Sequence, residues 1–166
     1  MEDLAEHVSA LAQERQLRLG TAESVTAGAV AHALCAAPAA SQWFRGGIVA
    51  YSTEVKQDLL GVPPCPVISR ECAEQMAVGA RALLGADLVV ATTGVGGPDA
   101  VEGQPAGTVW VAVAGRGEPV AVVHHFSGDP AQVLVSATAA ALHFVLDRLR
   151  PTELTGAMAS GGPAAQ

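Results

Sequence analysis

One segment of this 166-residue chain constrains its fold more than any other, namely the continuous apolar run between Asp87 and Thr93. Glycines stand just outside both of its ends, at Gly85 and Gly94. A strand that is apolar on both faces must be covered on both faces, which is typical of sheets flanked by helices in α/β proteins. The run therefore predicts a fully buried strand with a layer of helices on each side.

Helical periodicity, breakers and capping residues indicate where those helices lie. In chain order, helices are predicted near residues 3–16, over residues 25–36, from about Lys56 to Gly61, from Ser69 to Gly85 and from Asp129 to about Arg150. Cys35 lies in the second of these helices and is expected to pack inside the protein. The number and length of these helices are sufficient to cover both faces of one sheet.

Four further strands are predicted, near residues 17–20, 46–51, 108–114 and 120–126, and the segment over 46–51 is expected to be an interior strand. The last two are separated by only a short turn, so they form an antiparallel hairpin and the sheet is mixed. The predicted fold is therefore α/β, a three-layer α/β/α sandwich with a mixed, about five-stranded sheet. One domain is expected over residues 1–150, with a disordered tail over 151–166, where Gly, Ala, Ser and Pro dominate.

Charge and composition exclude several classes of function. The formal net charge is −7 and no run is rich in Lys or Arg, which argues against a nucleic-acid partner. No apolar run approaches the roughly 20 residues that span a bilayer, and the N-terminus lacks a signal-peptide pattern, so we expect a cytoplasmic protein without a membrane partner. The spacing of the three cysteines does not suggest a metal site.

Lys56 is the only lysine of the chain, whereas the other basic residues are arginines. Lysine can lose its proton when it is desolvated, which arginine cannot do, so a lone lysine suggests a proton-transfer role. A second polar cluster around Ser24 lies where a strand should turn into a helix, and serine with a neutral lysine makes a nucleophile and its base. The alternative is that Lys56 lies on a solvated helix face and that Ser24 is an ordinary helix cap.

A glycine-rich loop leaves the buried strand over Thr92–Asp99. It lacks the spacing of a dinucleotide fingerprint and the lysine and hydroxyl of a phosphate-binding Walker loop, but its backbone amides could approach an anion closely. The alternative is a simple connection between strands. Because Ser24, Lys56 and Thr93 each follow a strand end, the sequence predicts that they meet at one edge of the sheet. Nearby carboxylates, among them Glu23, are expected to orient or cap.

Several phrases of the sequence resemble one known family. They are Thr21-Ala22-Glu23-Ser24, Gly46-Gly47-Ile48-Val49-Ala50-Tyr51-Ser52, Leu59-Leu60-Gly61-Val62, Gly85-Ala86-Asp87, Thr93-Gly94-x-x-Gly97-Pro98-Asp99 and Pro105-x-Gly107-Thr108-Val109-Trp110. On these motifs, which run from about Leu4 to Leu149, the chain resembles the CinA C-terminal domain family. That family includes stand-alone nicotinamide-nucleotide amidases, which convert nicotinamide mononucleotide to nicotinate mononucleotide and ammonia.

The resemblance implies a metal-independent and cofactor-independent serine amidase that binds a small nucleotide and forms a homo-oligomer. Ser24 would be the nucleophile and Lys56 its base, with Tyr51 orienting or binding beside them and backbone amides at the start of the following helix holding the oxyanion. Substrate would be bound by the residues Glu23, Thr26, Arg45, Thr93, Gly94, Gly96 and Gly97.

The chain also departs from the pattern of that family. Val25 and Ala27 stand where the family usually has a cysteine and a glycine, and Pro130 and Leu134 stand where it commonly has arginines that would contact substrate or phosphate. Arg45 is the nearest cationic substitute. These departures leave open a second hypothesis, a catalytically silent member of the family that binds a nucleotide without turning it over.

Overall fold

The computed structural model describes residues 1–150, and the tail expected over 151–166 lies outside the described residues. Its helices are α1 (Glu2–Glu14), α2 (Ala29–Ala36), α3 (Ala40–Trp43), α4 (Thr53–Leu60), α5 (Arg70–Leu84) and α6 (Pro130–Leu149). Its strands are β1 (Leu19–Glu23), β2 (Phe44–Val49), β3 (Leu88–Gly94), β4 (Thr108–Ala114) and β5 (Val120–His125). They form one five-stranded sheet in the order β2-β1-β3-β4-β5.

The sheet is mixed, as predicted. Strand β1 is parallel to both β2 and β3, whereas β4 is antiparallel to β3 and to β5. The apolar run that predicted a buried strand is β3, which lies in the middle of the sheet and is buried from Leu88 to Thr93. Because β1, β2 and β3 run in the same direction, their carboxyl ends lie at one edge of the sheet.

Two hydrophobic cores confirm the three-layer arrangement. One core lies between the sheet and helices α1, α2 and α6, and includes Val8, Leu34 and Leu142. The other lies between the opposite face of the sheet and helix α5, and includes Met76 and Ala77. Most residues of the two cores are Ala or Val, so the helices and the sheet can approach one another closely.

Helix α4 packs against α5 rather than directly on the sheet. The contact depends on Gly79, because a methyl group at that position would overlap the backbone carbonyl of Leu60. Ser52 caps α4 by accepting a hydrogen bond from the Val55 amide, and Gly61 ends the helix in the left-handed conformation. This packing fixes the position of α4, which carries Lys56.

Some predicted boundaries were wrong. Strand β2 begins at Phe44 and lies at the edge of the sheet, where its residues alternate between partly buried and exposed, so it is not an interior strand. Strand β1 continues to Glu23, and helix α2 begins only at Ala29. The cause is a turn over residues 24–28 whose last residue has a positive φ, 99° at Gly28. The one-turn helix α3 was not predicted, and Cys35 is exposed rather than packed.

Helix α6 starts with a capping box, in which Asp129 and Gln132 exchange hydrogen bonds. Its 20 residues are long and apolar enough to cross a membrane by length and composition, contrary to the expectation from sequence. Helix α6 nevertheless lines the core with one face, on which eight residues are buried. A core helix of a globular domain meets the same criteria of length and composition.

Candidate active site

Ser24 directly follows β1 and stands at the carboxyl edge of the sheet. Its amide donates a 2.9 Å hydrogen bond to the carbonyl of Thr92 in the neighbouring strand, which continues the β1–β3 ladder by one residue. Lys56 reaches the same place from helix α4, and its Nζ lies 3.1 Å from the Ser24 Oγ. Two polar clusters that are 32 residues apart in the sequence are thereby joined.

Lys56 is buried, with only 3% of its surface exposed, so it does not lie on a solvated helix face. Its Nζ also donates a 2.8 Å hydrogen bond to the backbone carbonyl of Tyr51. Burial lowers the pKa of Lys56 below its ordinary value, against the opposing influence of Cys72 and Glu102. Lowering the pKa of a lysine increases the fraction of the neutral amine, which is the form that can accept a proton.

Glu23 is buried and caps helix α2. Its Oε2 accepts hydrogen bonds from the amides of Gly28 and Val30, both at 3.0 Å, and its Oε1 accepts one from the amide of Ala31 at 2.7 Å. The carboxylate thus occupies the amides at the start of α2 that were expected to hold an oxyanion. Glu23 has the capping role that the sequence suggested. It does not line the cavity of about 450 Å³ that opens beside Ser24 and Lys56.

Thr26 supports the same turn. Its hydroxyl lies 2.7 Å from Glu23 Oε2 and 2.7 Å from the hydroxyl of Thr92. Thr26 is buried and, like Glu23, lies outside the lining of that cavity. Both residues were expected to bind substrate; their contacts instead fix the backbone immediately after Ser24.

A cavity of about 450 Å³ opens beside Ser24 and Lys56 at the carboxyl edge of the sheet. It is lined by Ser24, Val25, Ala27, Tyr51, Thr53, Lys56, Val67, Ile68, Thr93, Gly94, Val95, Gly96, Gly97, Val101, Pro130 and Leu134. The Ser24 cluster, the Lys56 segment and the glycine-rich loop therefore meet here, as the positions of their strand ends predicted. Carboxyl ends of parallel strands are the usual place for ligands in open α/β sheets.

Tyr51 and Thr93 line this cavity in ways that the sequence could not specify. The side chain of Tyr51 is 74% exposed, so the contact with Lys56 is made by its backbone carbonyl. The hydroxyl of Thr93 donates a 2.7 Å hydrogen bond to the carbonyl of Val67 and is almost fully buried. Thr93 thereby ties β3 to the loop that precedes α5.

Arg45 lies at the wrong end of the sheet to replace a missing cation. It is the second residue of β2, whereas the cavity lies beyond the last residue of that strand, Val49. Its Nε donates a 3.0 Å hydrogen bond to the carbonyl of Leu84 at the end of α5. The expectation that Arg45 binds substrate is therefore corrected, because parallel strands place their first and last residues at opposite edges of the sheet.

Sequence reasoning missed one side of the cavity. Val67 and Ile68, from the proline-rich loop before α5, form part of its wall, and Val101 does so from the loop between β3 and β4. Glu102 joins these two loops, since its Oε2 accepts a 3.3 Å hydrogen bond from the Ile68 amide. No periodicity or motif marks these residues, so only the folded chain shows them.

A larger apolar groove of about 850 Å³ lies between α1 and α2 and shares Ala27 and Leu134 with this cavity. It contains neither Ser24 nor Lys56. Volume alone does not make it the reactive site, because a nucleophile and a base within hydrogen-bonding distance occur in the smaller cavity.

The family model described as CinA C-terminal domain matches residues 1–149. The chain belongs to the CinA C-terminal domain family. The resemblance drawn from the sequence motifs is thus confirmed. The match covers the whole of β1 to α6, including the Ser24 turn, helix α4 and the glycine-rich loop.

Solved structures of the superfamily share the fold. A CinA superfamily protein from Escherichia coli is 38% identical with a TM-score of 0.86, over 89% of each chain. A competence or damage-inducible protein from Enterobacter asburiae is 33% identical with a TM-score of 0.87, over 90% of this chain and 98% of that one. These values confirm the predicted α/β fold for nearly all the residues that the structure describes.

Longer relatives carry similar sequence in part of their length. A protein from Listeria welshimeri, provisionally named competence-damage inducible, is 44% identical over 119 residues, which is 69% of this chain and 29% of that protein. A Levilactobacillus brevis protein with the same provisional name is 45% identical over 121 residues, with the same two coverages. The chain therefore spans less than a third of these relatives, whose names refer to competence and damage induction and to no reaction.

Proposed function

We propose that this protein is a metal-independent serine amidohydrolase that releases ammonia from a small carboxamide, for which the family resemblance suggests nicotinamide mononucleotide. The observation that carries the proposal is the 3.1 Å contact between Lys56 Nζ and Ser24 Oγ, which joins two buried residues. A capping serine and a surface lysine would not require that contact. We also propose that the reaction is cytoplasmic and that the protein acts as a homo-oligomer.

In the first half of the reaction, neutral Lys56 removes the proton of the Ser24 hydroxyl. The Ser24 oxygen attacks the carbon of the carboxamide, and the C=O oxygen becomes an oxyanion. Lys56, now an ammonium, returns the proton to the departing nitrogen, the C–N bond breaks and ammonia leaves. The Tyr51 carbonyl accepts a hydrogen bond from Nζ and so holds the amine beside the Ser24 hydroxyl.

The oxyanion needs donors other than the start of α2, since Glu23 occupies those amides. The amide of Val25 immediately follows the nucleophile, Val25 lines the cavity, and within residues 1–150 this amide donates no hydrogen bond to a protein acceptor. We assign the oxyanion to this amide. Backbone donors held in place before the reaction stabilise developing charge without reorganisation.

In the second half, water enters where ammonia has left. Lys56 removes a proton from the water, the hydroxide attacks the acyl carbon, and the ester bond to Ser24 breaks. Lys56 then returns the proton to the Ser24 oxygen, which restores the enzyme and leaves the product as a carboxylic acid. Every proton transfer thus passes through Lys56 Nζ. This cavity-lining residue is the base in both halves of the reaction, and no step requires a metal.

A catalytically silent binding protein is the second candidate. It is favoured by the wall formed by Pro130 and Leu134, because both positions line the cavity and neither side chain can contact an anion. Such a protein would retain the cavity and bind a ligand without releasing ammonia. The contact between Ser24 and Lys56 would then have no chemical consequence.

Ammonia release from nicotinamide mononucleotide by purified protein, treated with a chelator, tests the proposal. Ser24→Ala should abolish the release while leaving the thermal unfolding midpoint almost unchanged, because it removes one oxygen. Ser52→Ala is the matched control, since Ser52 caps α4 near the site but lies outside the cavity lining. Ligand binding without any ammonia release would favour the silent protein, and release that persists in Ser24→Ala would remove Ser24 as the nucleophile.

A further inference from the structure

The charges around the cavity suggest which substrates it accepts. Lys56 is the only basic side chain among the described residues that line it. Under the mechanism above, Lys56 must be uncharged when substrate is bound, and its Nζ is already engaged by Ser24 and by the Tyr51 carbonyl. The lining therefore offers no free cation to a phosphate dianion, which proteins usually bind with Arg or Lys.

Helix N-termini are the other common source of positive potential for a phosphate. Three helices begin at or beside this cavity. Thr53 and Pro130, the first residues of α4 and α6, belong to its lining, and so does Ala27, two residues before α2. At the N-terminus of each of these three helices lies the carboxylate of an Asp or Glu side chain. The amides that would attract a phosphate are therefore occupied or face a negative charge.

The three carboxylates differ in sequence position but act alike. Glu23 accepts hydrogen bonds from the amides at the start of α2. Asp129 Oδ1 accepts a 2.9 Å hydrogen bond from the Gln132 amide in the first turn of α6, where Pro130 has no amide hydrogen to offer. Glu54 lies in the first turn of α4, and its own backbone amide, followed by the Ser52 hydroxyl, lowers its pKa, so it is ionised at neutral pH.

Apart from the Val25 amide, which the mechanism assigns to the oxyanion, the remaining donors are two amides of the glycine-rich loop. Within residues 1–150 the amides of Gly96 and Gly97 donate to no protein acceptor, and both residues line the cavity. With no cation beside them, two such amides suit a carbonyl or hydroxyl oxygen better than a phosphate dianion. The same loop also carries Glu102, whose negative charge is close enough to Lys56 to influence its pKa.

We infer that the substrate of this site is a carboxamide without a phosphate group, such as a nucleoside or a smaller neutral amide. The inference rests on the proposed amidohydrolase function and names its substrate class. The apolar wall of Val67, Pro130 and Leu134 would pack against the body of such a molecule, and the amides of Gly96 and Gly97 would bind its polar oxygens.

Nicotinamide riboside and nicotinamide mononucleotide form a matched pair of probes, since they differ only in the phosphate. Ser24-dependent ammonia release should show a kcat/KM at least about fivefold higher for the riboside. A higher kcat/KM for the mononucleotide would overturn the inference while supporting the amidohydrolase function.

Binding separates the two proposals if neither compound is hydrolysed. Calorimetric titration of the Ser24→Ala variant with each compound measures recognition without turnover. Tighter binding of the riboside supports the substrate class even though the reaction would have failed. Tighter binding of the mononucleotide, or binding of neither compound, overturns it.

A charge introduced into the apolar wall gives an independent test. Leu134→Arg should strengthen mononucleotide binding to the Ser24→Ala background by about tenfold, because it adds the cation that the lining lacks. Leu134→Gln is the control, as it adds polarity and length without charge. Unchanged mononucleotide affinity in Leu134→Arg would show that a phosphate is already accommodated elsewhere, and would overturn the inference.

Discussion

The carboxylate of Glu23 reaches the amide of Ala31, 2.7 Å away and eight residues further along the chain. In doing so it binds the first turn of α2 to the last residue of β1 and closes the turn that contains Ser24. The residue next to the nucleophile is therefore a structural anchor, and the geometry of Ser24 depends on a buried charge that does not contact the cavity.

Glu23→Gln should destabilise the protein and reduce turnover together. The Glu23 carboxylate accepts hydrogen bonds through both of its oxygens, whereas a glutamine side chain has only one acceptor oxygen. At least one backbone amide of α2 would therefore lose its acceptor in a buried position. We expect a loss of about 2–4 kcal/mol in the free energy of unfolding. Urea denaturation measures it.

Glu54→Gln is the matched control for that variant, because Glu54 is an exposed residue in the first turn of another helix. It should change the free energy of unfolding by less than about 1 kcal/mol. Equal losses in the two variants would show that the hydrogen bonds of Glu23 do not anchor α2.

Substitution of Lys56 should separate stability from activity. Lys56→Met keeps an unbranched apolar side chain as far as Cε and removes a buried amine, so it should raise the unfolding midpoint at neutral pH while ammonia release falls by at least about a thousandfold. The sign follows from linkage. The pKa of Lys56 is lowered in the folded state, so the unfolded state binds more protons and the wild-type protein gains stability as pH rises towards the ordinary lysine value.

Lys56→Arg is the companion variant. It retains a cation near Ser24 but cannot donate a lone pair, because arginine remains protonated. It should be as inactive as Lys56→Met and less stable than it. Substantial activity in Lys56→Arg would show that the site needs a positive charge rather than a base.

Much of the architecture could be predicted from sequence because it depends on local patterns. The apolar run of β3, the short turn between β4 and β5 and the Asp129-Pro130 cap each indicate their own element, and all three were found. Boundaries failed where a long-range contact determines them. Helix α2 starts four residues later than its composition suggests, since the Glu23 carboxylate and the left-handed Gly28 fix its first turn.

The candidate site divides in the same way. The lone Lys56 and the polar cluster at Ser24 could be found by residue chemistry, and the strand ends indicated that they would meet. Arg45 was misplaced because its distance from the cavity depends on the parallel pairing of β2 with β1, which a single strand does not encode. Val67, Ile68 and Glu102 were missed since their positions follow from the packing of two loops across the cavity.

The pH dependence of turnover should report the pKa of Lys56. Because the neutral amine is the base, kcat/KM should rise with pH through that pKa, which burial places below the ordinary lysine value. The carboxylate of Glu102 opposes this lowering. Glu102→Gln removes its charge and keeps an oxygen that can accept from Ile68, so the rising limb of the pH profile should shift to lower pH.

Glu118→Gln controls for the change in net charge, since Glu118 lies in the turn between β4 and β5 at the opposite edge of the sheet. Its pH profile should coincide with that of the wild type. A shift to higher pH in Glu102→Gln, or equal shifts in both variants, would contradict a direct influence of Glu102 on Lys56.

Ala27 is strained beside the nucleophile. Its φ is +50°, in the left-handed region that favours glycine, and it lies in the turn between Ser24 and α2. Ala27→Gly should relieve about 1 kcal/mol of that strain, partly offset by the greater freedom of glycine in the unfolded chain. Since Ala27 also lines the cavity, removal of its methyl group should lower the KM for a bulky carboxamide.

Ala39 provides the matched control, because its φ of +52° is nearly the same and it precedes α3, outside the cavity lining. Ala39→Gly should show a similar gain in the free energy of unfolding with unchanged kinetics. If the two variants gained equal stability and Ala27→Gly also left KM unchanged, the methyl group of Ala27 would not restrict the site. If neither gained stability, the left-handed conformation would carry no measurable strain at these turns, because the same backbone angle would have been relieved twice without effect.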